Sequence, residues 1–208
     1  VKYYRYRMVD FLRKNRILPT PESGIRRSAE ETTDRAISFL SRHGNRPLFL
    51  FVHYYDPHTP YEPPPPFDTK YDPDYEGEMD GRSVIPYQDG TKTMPPRDFR
   101  HIVALYDGAA SYADREIGRL LDFIDRQKSK RDPLIILTAD HGESFDHNYF
   151  FAHPNSIYES TLRIPLIFRG HGIPKGRRVS DVVESIDIAP TILEIAGLSV
   201  SPGVRGIS

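Results

Sequence analysis

The side chains best suited to chemistry in this sequence are Asp140 and His141, which end the run Leu134-Ile135-Ile136-Leu137-Thr138-Ala139 and are followed by Gly142 and Glu143. A carboxylate and an imidazole side by side can both give lone pairs to a divalent cation, so the pair has the chemistry of half a metal site. Gly142 frees the backbone to turn sharply after them. The rival reading makes Asp140 the cap of a following helix and His141 a loop histidine. His58 is the second candidate, in Asp56-Pro57-His58-Thr59-Pro60. Two prolines stiffen its presentation, and an imidazole with a near-neutral pKa suits general acid work. A turn histidine in a proline-rich loop is the alternative. Three of the eight histidines, His141, His147 and His153, crowd into residues 141–153.

These groups need elements to hold them. Residues 134–139, opened by Asp132-Pro133, read as a strand buried on both faces, and ligands of open α/β sheets bind beyond the carboxyl ends of such strands. Residues 47–53 (Pro47-Leu48-Phe49-Leu50-Phe51-Val52-His53) read as a second buried strand and 164–168 as a third. Were the first two parallel neighbours, His58 would emerge at the same edge as Asp140 and His141. Ser28 and Glu31 have the capping-box spacing, and the apolar residues after them predict an amphipathic helix over 28–43. A helix followed by a strand implies a parallel crossover unit. Residues 98–127 carry helical spacing, as one helix or as two broken near Gly108, with Tyr112, Asp114 and Arg115 in structural roles. Asp187 caps a predicted helix through Ile195 that ends at Gly197, with Pro190 in its first turn, and Ser180–Val183 suggest an edge strand. Met8–Leu12 suggest a short helix in a basic, aromatic opening segment.

Between these elements, residues 61–97 are rich in Pro, Tyr, Asp and Gly without apolar periodicity. A loop of this length is usually functional or mobile, and it reads as an excursion over the active edge that shapes substrate access. Tyr71, Tyr75 and Tyr87 are its candidates for substrate contact, with surface decoration the plainer alternative. His53, at the end of its strand, reads as structural.

The composition limits the remaining choices. The 208 residues carry a net charge of −1, with a sequence pI of about 6.8. No basic block marks a nucleic-acid or membrane partner, and no apolar run approaches the ~20 residues a membrane helix takes. With no cysteine, this piece contains no disulfide, thiolate ligand or cysteine nucleophile. The sequence opens on Val1 and shows no internal repeat, so it reads as one domain over 1–208, a piece of a longer product.

Five blocks in order resemble the sulfatase family of the alkaline-phosphatase-like superfamily: Pro47 to Pro63 (PLFLFVHYYDPHTPYEP), Tyr106 to Leu121 (YDGAASYADREIGRLL), Leu134 to Phe145 (LIILTADHGESF), His153 to Phe168 (HPNSIYESTLRIPLIF) and Asp187 to Gly197 (DIAPTILEIAG). The resemblance implies an α/β fold with a mostly parallel central sheet flanked by helices. At matching positions it makes Asp140 and His141 metal ligands and His58 the residue that protonates the leaving group. His153 becomes the basic residue on the transferred sulfate, with Asn155 as the alternative alignment, because Pro154 stands where glycine is usual. It implies calcium first, with manganese or zinc as alternatives better suited to an imidazole ligand. The implied substrate is a small-molecule or carbohydrate sulfate ester, and the implied compartment is secreted, periplasmic or lysosomal in type.

The family also carries a Cys-x-Pro-x-Arg or Ser-x-Pro-x-Arg segment whose first residue becomes the formylglycine nucleophile. No such segment is present; Ser201-Pro202-Gly203-Val204-Arg205 has the wrong spacing. The nucleophile and half of the metal site are therefore expected in a missing N-terminal part, and the fragment alone is expected to be inactive. Two alternatives stay open at this level. One is a phosphomonoester or phosphodiester hydrolase, or a phosphoryl transferase, of the same superfamily. The other is a non-catalytic binding fragment.

Overall fold

The computed structural model describes residues 27–44, 46–88, 92–127, 133–146, 149–153, 157–170 and 172–208. The helix expected at 8–12, His147 and Asn155 lie outside the described residues. The chain forms two compact units, one of residues 1–86 and 93–129 and the other of residues 87–92 and 130–208.

Among the described residues, the first unit is built on two α-helices, α1 (Ala29–His43) and α2 (Pro96–Arg126). Ser28 caps α1 by accepting from the Glu31 N–H, but only half of the capping box forms, because the Glu31 carboxylate pairs instead with Arg27 and Arg35. The next free donors of that first turn are met from a distance: Ala29 N–H donates to Asp56 Oδ2 at 2.9 Å, and Glu30 N–H to the Tyr112 hydroxyl at 3.1 Å. Thr33 on the buried face of α1 donates its hydroxyl proton to the Glu116 carbonyl, so the Tyr54 hydroxyl, 2.8 Å away, must be the donor to Thr33. Burial raises the Tyr54 phenol above its ordinary pKa, in keeping with a proton that stays in place. The Glu116 carboxylate is buried and meets both Arg115 and Arg119, and Arg119 also reaches Asp34.

The helix α2 is continuous, with Pro96 at its first position, where a missing N–H costs nothing. Gly108 does not break it. A Cβ there would run into the Phe67 carbonyl and stand 3.1 Å from Pro63 Cγ, so the glycine serves close approach of the preceding excursion. That excursion is an ordered layer on α2. Tyr61, Phe67 and Val84 are buried, Arg97 makes a bidentate pair with Asp72 at 2.6 and 2.7 Å, and the His101 Nδ1–H donates to Asp72 at 2.9 Å. Tyr75 is not decoration: its ring stacks on His101 at 3.6 Å and its hydroxyl donates to Asp98.

Residues 47–53 form no strand among the described residues. Exposure alternates as it does along a strand, with Leu50 and Val52 half-buried, but Phe49 and Phe51 are 75% and 77% exposed. The reading of a strand buried on both faces is corrected: one face is half-buried, and among the described residues the other has no ladder or covering layer.

The second unit holds two antiparallel pairs. Strand β1 (Ile135–Thr138) pairs with β4 (Leu166–Arg169), Ile135 opposite Arg169 and Thr138 opposite Leu166. Strands β2 (Ser144–Asp146) and β3 (Tyr149–Ala152) form a hairpin that apolar patterning did not predict. The parallel pairing expected of β1 is not among these ladders, because its partner here is the third predicted strand, which runs the opposite way. One helical turn, α3 (Glu159–Leu162), follows the hairpin. The closing helix α4 (Ile188–Ile195) ends as expected at Gly197, in the left-handed region at φ 70°. Asp187 precedes it, but its carboxylate accepts from Ile207 N–H and then Glu184 N–H, which hold it below the usual carboxylate range. Residues 180–183 form no strand, and Val182 is 96% exposed. Among the described residues no helix is long and apolar enough to cross a membrane.

Candidate active site

Strand β1 delivers Asp140 and His141 directly past its carboxyl end. No helix follows them; the next element is β2, so the helix-cap reading of Asp140 is set aside. The turn is pinned by Gly142 N–H, which donates to the Thr161 carbonyl at 2.9 Å. His141 Nδ1 lies 2.7 Å from the Gly142 carbonyl, which can only accept, so Nδ1 donates there and Nε2 is the nitrogen left to face a ligand. That Nε2 lies 3.6 Å from Asp140 Oδ1, and the Asp140 carboxylate is largely exposed.

His153 comes to the same place from the far end of the β2–β3 hairpin. Its ring stacks on His141, with centroids 3.8 Å apart and planes at 22°, and its Nδ1 is 3.7 Å from Glu143 Oε1. The Glu143 side chain is only 6% exposed, and among the described residues its Oε1 accepts no hydrogen bond, so the carboxylate faces His153 at ion-pair range. Three candidates from sequence are thus brought together, with Glu143 added. Glu143 was visible only as a neighbour of the Asp-His pair; its burial against His153 depends on the hairpin.

A divalent cation fits Asp140 and His141 as two of its ligands. A separation of 3.6 Å between an oxygen and a nitrogen is near the edge of a coordination shell with bonds of about 2.0–2.5 Å. The donors are one carboxylate oxygen and one imidazole nitrogen; the oxygen suits calcium, whereas the nitrogen suits manganese or zinc better. Among the described residues no group of three or more His, Cys, Asp or Glu side chains is placed to hold a metal.

His58 belongs to the first unit. Its Nδ1–H donates to the Thr59 carbonyl at 2.7 Å, its own N–H to the Tyr55 carbonyl at 2.9 Å, and the Tyr55 ring lies 4.6 Å from its own. These contacts fix the ring and make Nε2 the nitrogen that gains or gives a proton. Asp56, two residues earlier, anchors the loop to the start of α1. Sequence reading missed that role, since nothing in the chain pairs positions 27 apart.

The fold is that of the alkaline-phosphatase-like ester hydrolases. The phosphonate monoester hydrolase SpPMH from Silicibacter pomeroyi matches it with a TM-score of 0.73 and 26% identity, covering 92% of this chain and 44% of that one. The chain belongs to the Sulfatase family, whose profile matches residues 3–198. It is 26% identical over 199 residues to a "Sulfatase" of Formosa agariphila and 27% identical over 205 residues to "Arylsulfatase K" of Canis lupus familiaris. Each match covers 86% of this chain and 38% of the relative, so the chain spans well under half the length of these proteins.

Proposed function

We propose that the protein containing this chain hydrolyses sulfate monoesters of small molecules or carbohydrates, and that this chain supplies the leaving-group side and part of the metal site. The observation that carries the reading is the meeting of Asp140, His141 and His153 past the end of β1, in a chain of the Sulfatase family. Asp140 and His141 would hold a divalent cation, calcium first, with manganese or zinc as alternatives. When bound, the cation neutralises charge on the non-bridging sulfate oxygens, and a formylglycine in a part of the protein beyond this chain provides the nucleophile. His153, with the Glu143 carboxylate 3.7 Å from its Nδ1, would hold the singly charged sulfate group of the ester. His58 donates the proton on Nε2 to the departing alcohol oxygen and is left neutral, its ring still anchored through Nδ1. The complete domain is read as a mostly parallel sheet flanked by helices, of which residues 1–208 are one piece.

The test is a series of aryl sulfates with graded leaving groups. His58→Ala should lower turnover by about 10²–10⁴-fold for poor leaving groups and far less for good ones. A uniform loss across the series removes His58 from the acid role. A second reading, hydrolysis of phosphate or phosphonate esters, is favoured by the likeness to SpPMH. Matched aryl sulfate and aryl phosphonate substrates separate the two by their kcat/KM ratio.

A further inference from the structure

We infer that Gln88 is a positioning residue for the His153 imidazole, acting through the backbone of Phe151. In the β2–β3 hairpin, Phe145 is opposite Phe150 and Ser144 is opposite Ala152, so Phe151 has no opposite number and is the extra residue of a bulge. It is also the one non-glycine among the described residues with positive φ, at 60°. Bulky side chains rarely adopt that conformation, and such positions persist only where the surroundings over-determine them. Bulges of this kind re-aim the side chains that follow. The residue re-aimed here is His153, two positions on, whose ring is laid against His141.

Phe151 is held through both its ring and its carbonyl. The Phe151 side chain is fully buried, with its ring edge-on to Phe145 at 6.1 Å. The Phe151 carbonyl accepts from Gln88 Nε2 at 2.7 Å across 63 positions of sequence. A carbonyl only accepts, so the amide orientation of Gln88 is determined by its partner. Gln88 is thus the side chain that ties a distant segment of the same unit to the strained residue that sets the direction of His153. Removing its N–H lets the bulge relax and lets His153 swing off the ring of His141, although Gln88 itself touches no substrate.

This inference rests on the sulfate-holding role proposed for His153, and the experiment separates the two. In the full-length holoprotein, inorganic sulfate affinity is measured by titration calorimetry, with KM and kcat on an aryl sulfate, for Gln88→Met, His153→Ala and the double variant. Methionine matches glutamine in length and lacks the donor. Loss of one hydrogen bond's worth of positioning should weaken sulfate and raise KM about five-fold in Gln88→Met, with a smaller change in kcat. In the His153→Ala background the same substitution should change sulfate affinity less than about two-fold, since nothing is left to position. An undiminished effect in that background overturns the inference and makes Gln88 a merely structural residue. If His153→Ala leaves sulfate affinity unchanged, the sulfate role of His153 falls, and the assignment of Gln88 falls with it. Should Gln88→Met not fold, Gln88→Asn retains the amide but shortens its reach, and the same cycle applies.

Discussion

Replacing Gly142 with alanine tests whether the turn that presents the Asp-His pair depends on close backbone approach. Gly142 is not in the left-handed region, so an alanine there meets no conformational objection. The objection is space. A Cβ would overlap the Ser160 carbonyl oxygen and stand 3.0 Å from the Ser160 carbonyl carbon and 3.2 Å from Thr161 Cα. All three are backbone atoms, so no rotamer change clears them. Relief requires moving α3 away from the turn, which stretches the Gly142 N–H to Thr161 carbonyl bond. Overpacking costs about 1–3 kcal/mol and a lost hydrogen bond about 1 kcal/mol, so the expected destabilisation is about 3 kcal/mol. For a chain of this size that is a fall of roughly 10 °C in Tm. Gly118 is the internal control. It lies within α2 with nothing inside 4 Å of an added Cβ, and Gly118→Ala should gain up to about 1 kcal/mol from helix propensity alone. Differential scanning calorimetry of the two variants should therefore give shifts of opposite sign. An unchanged Tm for Gly142→Ala would refute the reasoning that packing against α3 dictates glycine in this turn.

The other predictions concern the first unit. Asp56→Ala removes the acceptor for Ala29 N–H and should cost about 1 kcal/mol by chemical denaturation, whereas Asp56→Asn keeps an acceptor and should recover most of it; equal losses would contradict the capping role. Arg97 first, with His101 in support, holds the Asp72 carboxyl below its ordinary value. A carboxyl lowered on folding contributes stability that is whole above the ordinary carboxylate range and is lost as the pH falls toward the folded-state value. The denaturation midpoint of Asp72→Asn should accordingly fall less steeply than that of the parent protein from about pH 6 to about pH 3, and parallel acid limbs would remove Asp72 from the account.

Much of the local structure was legible because it depends on neighbours in the chain. The helix from Ala29, the helical character on both sides of Gly108, the strand into Asp140 and the terminal helix before Gly197 all follow from periodicity, caps and breakers, whereas the continuity through Gly108 was left open. The reading faltered where pairing partners decide the outcome. Residues 47–53 have the alternation of a strand but no ladder among the described residues, and an apolar run cannot name its own partner. The short strands β2 and β3 escaped for a different reason: they are set by a bulge and a buried Phe151 rather than by a repeating pattern. Likewise the excursion looked featureless, because its anchors Asp72 and Tyr75 work through Arg97 and His101, more than twenty positions away.

By itself, then, the sequence determined the kind of chemistry available. Asp140, His141, His58 and His153 supply oxygen and nitrogen ligands and titratable imidazoles, and the absence of cysteine excludes thiolate chemistry in this piece. Tertiary structure decided which groups meet. His153 is twelve positions from His141, and only a hairpin with a left-handed Phe151 lays one ring on the other and brings both beside Glu143. The physical reason is that ligand types are local properties of residues, whereas a distance of 3.8 Å between two rings is a property of the backbone path between them.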